Sequence, residues 1–344
     1  SIFIGHEAGD AATSGAANVG VGYQSLSGAM GSNCSYNTAF GHQAGKVIAG
    51  NSNGNVAIGT FAMQAAAECD RNVVIGYNAA GAFDDGQDQN VIIGYNAGTN
   101  INVAAADSNV IVGFEAGIGG SGDLAGAVVV GANALKATGG NNSTGQVAIG
   151  ADSLTAVTSG TNNVAVGYQT GFPITPGNHN TVIGHLAGRN LGGGASHTTL
   201  LGMQAGTNMN TSGDTFNVCI GSEAGDAITS GVENIVIGSQ ADTAAGDSDN
   251  AIVIGRNISG GGNEFNFGKP SNVVSNTFTS DANWSRSSDE RLKTDIKDDT
   301  LGLDFIKELK TKTFKWKPSN EVPKELTLHY NEKNNMDTDV VMHV

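Results

Sequence analysis

The chain has 344 residues, 51 of them glycine, and its 32 acidic residues against 17 basic ones give a formal charge of −15. This balance argues against nucleic acid and anionic membrane as partners, because both need a basic surface. Three widely separated cysteines (Cys34, Cys69 and Cys219) favour neither a disulfide framework nor a zinc site, and they leave the redox compartment open. No apolar run is long enough to encode a membrane span, and we expect no cofactor.

Residues 1–258 repeat one unit. A glycine that closes an NVAIG-like segment recurs fifteen times, at spacings of 17, 18 or 19 residues. Such a period indicates a solenoid in which each repeat forms one turn. The chain opens within the pattern and has no initiator Met, so we expect a fragment of a longer protein. The fifteen anchors are Gly5, Gly22, Gly41, Gly59, Gly76, Gly94, Gly113, Gly131, Gly150, Gly167, Gly184, Gly202, Gly221, Gly238 and Gly255.

The three residues before each anchor form the predicted strand. The outer two are β-branched or otherwise suited to strands, and the one between them is apolar as well. Because the strand does not alternate with polar residues, both of its faces should be buried. One face would fill the solenoid and the other would lie against further chains. We therefore predict an all-β, homotrimeric solenoid or β-roll rod of roughly 70 Å, and we place Val129 on the face that partner chains cover.

Other columns of the repeat fit a coil. Asparagine precedes the strand in ten of fifteen repeats, as at Asn55, Asn72 and Asn234, which predicts corners and a ladder of stacked amides. The residue after the anchor is often aromatic or histidine. These rings could bind sugars, but a ladder that packs turn on turn is the favoured interpretation. The column contains His6, Tyr23, His42, Tyr77, Tyr95, Phe114, Tyr168 and His185.

Three further features of the sequence are candidate binding sites. His6, His42 and His185 lie in distant repeats, so one chain cannot join them in a metal site, although a ring of identical histidines on a trimer axis stays open. The acidic segments at 84–89 and 247–250 resemble calcium loops but lack the full ligand spacing, so solvated loop acids are favoured. The most variable loops are the expected receptor contacts, and they span residues 28–37, 99–108, 136–146 and 206–216.

The columns of residues 1–258 resemble the head repeats of trimeric autotransporter adhesins and similar repeats of phage tail-fibre proteins. The autotransporter repeat is shorter than the 17–19 residues found here. The resemblance implies a trimeric, extracellular and adhesive rod.

The composition changes sharply near residue 288. Fifty of the 51 glycines precede Asp289, whereas ten of the 17 basic residues follow it. Residues 259–288 contain a glycine run and short apolar stretches, which we interpret as a neck. The segment SSDERLKTDIK comes next. It is followed by an amphipathic pattern at 301–310 that predicts a helix, by the strand-like TFKWK, and by two predicted strands around NEKNN.

Ser-Asp-x-Arg-x-Lys followed by such a helix and strand resembles the intramolecular chaperone domain of phage endosialidases and tail spikes, the S74 peptidase family. The resemblance implies that residues 289–344 are the first part of a small α+β chaperone that assembles a trimer and then cuts itself off. Its serine–lysine pair falls on Ser288 and Lys293, and its scissile bond on Ser288–Asp289. Attack on the preceding carbonyl, which cuts after Ser287, is the alternative.

The residues allow this chemistry, since a serine hydroxyl needs a base and a lysine of lowered pKa can act as one. A charged linker that opens a helix is the structural alternative. The sequence thus predicts a virion tail fibre or spike whose partners are its own copies, other tail proteins and a host receptor, with glycans among the candidates. A bacterial trimeric adhesin is the second hypothesis. A polysaccharide-degrading spike is disfavoured, because the rod offers no convincing carboxylate pair.

Overall fold

A computed structural model describes residues 1–279, apart from residues 31, 32, 104, 121, 140, 141, 158, 173, 175 and 193, together with two short strands at 313–315 and 341–343. The described residues form strands and turns and contain no helix. Within this part of the chain there is accordingly no helix that could cross a membrane. The chain divides into two units, Ser1–Ser287 and Ser288–Val344.

The first unit is a β-solenoid, as the sequence predicts. Fifteen of its described strands end at the predicted glycine anchors and pair in parallel, each with the strand one repeat later, so that they delimit fourteen complete turns. The strands of the described residues are β1 (Ile2–Ile4), β2 (Val19–Val21), β3 (Thr38–Phe40), β4 (Val56–Ile58), β5 (Val73–Ile75), β6 (Val91–Ile93), β7 (Val110–Val112), β8 (Val128–Val130), β9 (Val147–Ile149), β10 (Val164–Val166), β11 (Thr181–Ile183), β12 (Ala195–Ser196), β13 (Thr199–Leu201), β14 (Gly213–Asp214), β15 (Val218–Ile220), β16 (Ile235–Ile237), β17 (Asp242–Thr243), β18 (Ile252–Gly255), β19 (Ser259–Gly260), β20 (Glu264–Lys269), β21 (Asn272–Thr277), β22 (Thr313–Lys315) and β23 (Val341–His343).

The middle residue of each three-residue strand fills the interior. Ala57 of β4 and Val74 of β5 face each other in register and are fully buried, whereas their flanking residues reach the surface. The placement of Val129 on the partner-facing side was therefore wrong. Val129 is buried within its own chain, because side chains alternate along a strand and the neighbours Val128 and Val130 take the outward face.

The anchor glycines stack on one another with a backbone that other residues rarely adopt. Gly59 has φ +127°, and a Cβ atom built on it would lie 2.5 Å from the carbonyl oxygen of Gly76 in the next turn. Glycine is required here by the positive φ and by the close approach of the two backbones. This requirement explains why the anchor column is invariant within the chain.

The corners of the coil use left-handed residues that are not glycine. The second residue after each anchor has φ near +55°, as at Asn78 and Asn96, and from Gln24 onward its N–H donates to the turn before. The bond from Asn78 to the Thr60 carbonyl is 2.9 Å, as is the bond from Asn96 to the Tyr77 carbonyl. The cost of the left-handed conformation is offset by a hydrogen bond between turns.

A buried asparagine ladder lines another corner, which confirms the predicted amide stack. Asn55 accepts hydrogen bonds from the N–H and the side-chain amide of Asn72, at 3.0 and 3.1 Å. The Asn72 amide also donates to the Gln87 carbonyl at 2.7 Å. Each asparagine of this kind ties its own turn to the two adjacent turns.

A hairpin closes the solenoid within the predicted neck. β20 continues the parallel ladder, with Phe265 opposite Ile252 and Phe267 opposite Ile254. β21 then pairs antiparallel with β20, from Asn272↔Lys269 to Thr277↔Glu264. Because β21 pairs antiparallel with β20, it occupies the edge of β20 to which a further parallel turn would otherwise add.

In the second unit the structure describes β22 and β23, which pair antiparallel from Thr313↔His343 to Lys315↔Val341. The strand predicted for TFKWK is therefore confirmed over residues 313–315. The helix predicted at 301–310 lies outside the described residues.

Candidate functional site

The outward face of the parallel strands carries an unbroken apolar stripe. It consists of the first and third residues of β1–β11, β13, β15, β16 and β18, and of Phe265 and Phe267 in β20. Of these 32 outward positions, all are apolar except Thr38, Thr181 and Thr199. Most stripe side chains are partly buried, and the more exposed ones include Phe40 at 57%, Ile58 at 37% and Val130 at 36%.

The stripe is as large as the largest apolar patches that isolated soluble chains normally leave in water. Sixteen strands at about 4.8 Å give a length of about 70 Å, and the two columns lie about 7 Å apart along the strands. The footprint is on the order of 500 Å², comparable with the largest apolar patch of a typical monomer, and such a patch is often functional. Its uniform rows make it the leading candidate for an assembly surface.

The aromatic column forms the predicted ladder beside the stripe. Tyr23 lies between His6 and His42, with ring centroids 5.6 and 5.1 Å apart, and Tyr95 lies between Tyr77 and Phe114, at 5.2 and 5.4 Å. The faces of these inner rings are covered by neighbouring rings, so mainly their edges meet solvent. Phe61 bridges the two groups with edge-on contacts, and Tyr168 stacks on His185.

The acidic segments use carboxylates as backbone caps. Asp88, in the predicted loop at 84–89, accepts a hydrogen bond from the Asp70 N–H at 2.7 Å, and Asp249, in the segment 247–250, accepts one from the Val232 N–H at 2.8 Å. No group of three or more candidate metal ligands was found among the residues that the structure describes.

A carboxyl pair joins two turns near the hairpin, and the sequence analysis did not identify it. Asp242 accepts hydrogen bonds from the N–H groups of Ala227 (2.7 Å) and Thr243 (2.8 Å). Burial, followed by a hydrogen bond with the Asp226 side chain, raises the pKa of Asp242 to about 7. The available signal was an aspartate at the fourth position after an anchor, where glycine is usual.

The three cysteines lie inside the solenoid and form no disulfide. Burial raises the pKa of Cys34 to about 11 and that of Cys69 to about 12, and it raises the pKa of Cys219 as well. Protonated, enclosed thiols are poor nucleophiles, so these side chains serve as packing groups.

Two of the predicted variable loops present aromatic rings to solvent. Tyr36, in the segment 28–37, is 70% exposed, and Phe216, in the segment 206–216, is 50% exposed and stacks on His197. Receptor contact through these loops stays a prediction.

The predicted processing site lies outside the described residues. This applies to Ser288 and Lys293 and to the predicted scissile bond between Ser288 and Asp289. The boundary between the two compact units falls between Ser287 and Ser288.

Comparison with known families bears on this segment. Residues 288–330 match the family model described as chaperone of endosialidase, peptidase S74. The match confirms the resemblance predicted for the C-terminal segment. No match to the chain was found among curated proteins or among solved structures. The β-solenoid and the C-terminal match together define a fibre- or spike-like protein.

Proposed function

We propose that the protein is the shaft of a viral tail fibre or tail spike, built as a homotrimer and located on the virion. The observation that carries this proposal is the apolar stripe on a solenoid that is followed by a chaperone-like segment. Contact with a host-surface receptor, glycans included, and with other tail proteins is part of the same proposal.

The stripe favours further copies of this chain as its partner. A partner must offer an apolar ladder with the same repeat of about 4.8 Å over about 70 Å to cover every row, and a second copy has both properties by construction. Two or three copies could bury the stripe. The similarity of residues 288–330 to a fibre chaperone favours three copies around one axis.

The chaperone segment would align the chains and then be removed. In the proposed reaction the Ser288 hydroxyl takes a proton from the attacking water while Lys293 accepts the proton of that hydroxyl, and Lys293 then passes the proton to the departing Asp289 amine. Hydrolysis breaks the C–N bond between Ser288 and Asp289, and water supplies hydroxyl to the Ser288 carbonyl and a proton to the Asp289 amine. In the alternative, the Ser288 oxygen attacks the Ser287 carbonyl, the Ser287–Ser288 C–N bond breaks, the released amine takes the proton, and water hydrolyses the ester.

Removal of the module makes the assembly difficult to reverse, because the rods then lack the group that helped them to form. Stability of the mature rod becomes kinetic rather than a reversible equilibrium. This consequence is useful for a fibre that must persist outside a cell.

A charge placed in the stripe tests the assembly surface. Val130→Lys would bring three ammonium groups into the proposed interface, and each unpaired buried charge costs several kcal/mol. Ala137→Lys is the matched control, since Ala137 is exposed in the same turn and lies outside the stripe. We expect light scattering to show a trimer for the control and a loss of trimer for Val130→Lys. A trimer of normal stability with Val130→Lys would refute the stripe as an interface.

A further inference from the structure

If the stripe were the only contact between three rods, the position of each rod along the common axis would be weakly defined. Neighbouring rows are nearly identical, as in Val128 and Val130 of β8 and Val147 and Ile149 of β9. Sliding one rod by a single row, about 4.8 Å, exchanges apolar side chains for similar ones and leaves one row of each rod uncovered. Repetitive strands of this kind are prone to slippage. A trimer of defined length therefore needs a feature that breaks the repeat.

The β20–β21 hairpin is such a feature. Phe265 and Phe267 continue the two stripe columns beyond Ile252 and Ile254, so that one row presents two aromatic rings. The ring centroids lie 5.3 Å apart, and Phe267 is 38% exposed. One earlier row also carries a ring, Phe40, but a threonine shares that row. The antiparallel β21 then ends the parallel ladder at this row.

We propose that the hairpin row, Phe265 and Phe267, sets the register of the rods by packing against the same row of the partner copies. This inference rests on the proposed trimer through the stripe. Clustered aromatic side chains commonly dominate the energetics of an interface. A slipped rod would place one aromatic row against smaller side chains and leave another uncovered.

The position of the hairpin fits this role. β21 ends at Thr277, eleven residues before the start of the chaperone match at residue 288. The hairpin thus stays on the rod side of the predicted cut. It would be the first row aligned by the chaperone and would hold the alignment after the chaperone is released.

Disulfide cross-linking between copies measures the register. A disulfide requires Cα atoms within about 7 Å, so a shift of about 4.8 Å changes which rows can be joined. Chains carrying Val130→Cys report the aligned state. A one-row slip is detected with two co-expressed chains, one carrying Val130→Cys and the other Ile149→Cys. The mixed disulfide between them is distinguished by its mass from the disulfides between identical chains. The native cysteines are buried and should not interfere.

The double substitution Phe265→Ile with Phe267→Ile then gives the hairpin row the same side chains as the preceding row. We expect mixed cross-links between the two rows to rise severalfold and the Val130→Cys self-cross-link to fall. Phe114→Leu, which alters an exposed ring outside the stripe, should leave the pattern of the parent. An unchanged pattern in the hairpin variant overturns the register proposal. Absence of Val130→Cys cross-links in the parent instead refutes the stripe interface itself.

A second arm applies if the double substitution prevents assembly. One chain keeps its hairpin and carries Ile149→Cys. The other carries Ile252→Phe, Ile254→Phe, Phe265→Ile, Phe267→Ile and Val130→Cys, which moves the aromatic row one turn earlier. Mixed assemblies should align the two aromatic rows and cross-link Val130→Cys of the second chain to Ile149→Cys of the first. Assemblies that keep equal rows opposite each other would contradict the proposal.

Discussion

Asn72 is joined to Asn55 by two hydrogen bonds to one oxygen, because its backbone N–H and its side-chain amide both donate to Asn55 Oδ1, at 3.0 and 3.1 Å. The Oδ1 of Asn72 accepts the same pair of bonds from Asn90, at 2.9 and 3.2 Å. All three side chains are fully or almost fully buried. The ladder thus satisfies polar groups that water cannot reach.

Replacing Asn72 by alanine should destabilise the rod strongly. The Asn90 N–H and the Gln87 carbonyl would each lose a partner, and a buried unsatisfied group costs about 1–3 kcal/mol. We expect a loss of about 3 kcal/mol, seen as a lower midpoint in denaturant. The exposed Asn208→Ala is the control, because Asn208 donates one bond at the surface. Equal midpoints for the two variants would show that the ladder contributes little.

The opposite change should repair a gap in the ladder. Ala127 occupies an asparagine position, and its N–H donates to Asn109 Oδ1 at 2.8 Å. In Ala127→Asn the new side chain would offer its oxygen to the Gln146 N–H and its amide to the Ser143 carbonyl. We expect a gain of about 1 kcal/mol. A lower unfolding midpoint would show that the interior at this turn cannot accommodate the amide.

The raised pKa of Asp242 predicts the direction in which the stability of the rod changes with pH. Its pKa in the folded rod, about 7, lies above the ordinary aspartate value, so its contribution to stability is complete below about pH 4 and is lost as the pH rises through 7. Asp242→Asn removes this titration. The stability of the variant relative to the parent should therefore increase between pH 5 and pH 8. A constant difference over that range would contradict the raised pKa.

The cysteines provide a probe of the intact coil. Cys34 and Cys69 are buried, and their raised pKa values, about 11 and about 12, keep the thiols protonated at pH 8. An alkylating reagent should leave both unmodified in the folded rod and modify both in denaturant, as followed by mass spectrometry. Rapid modification without denaturant would place these residues outside a closed interior.

Much of the coil can be predicted from sequence because its columns are one-dimensional ladders. The anchors need a positive φ and no Cβ, and the asparagines need partners one turn away, so both recur at the repeat period. The sequence could not predict which side chains of each strand face the interior of the solenoid. All three residues of β8 are valine, and their identity alone cannot tell the inward Val129 from the outward Val128 and Val130.

The closing hairpin and the carboxyl pair lacked a repeated signal. Phe265 and Phe267 follow the last anchor at a spacing shorter than the repeat, so the pattern did not place them on the stripe. Asp226 and Asp242 are sixteen positions apart, and they meet because adjacent turns of the coil stack. For Ser288 and Lys293 the resemblance of the C-terminal segment provided the signal, since the repeat ends before them.

Native mass spectrometry of the full-length protein tests the central claim most directly. The account predicts a complex of three rods that each end at Ser287 or Ser288, with the module released. Ser288→Ala should give a trimer of uncut chains. Lys293→Ala should slow the cut by on the order of 10²–10⁴-fold, the usual contribution of a general base. A monomeric rod would contradict the account, as would efficient cleavage in Ser288→Ala.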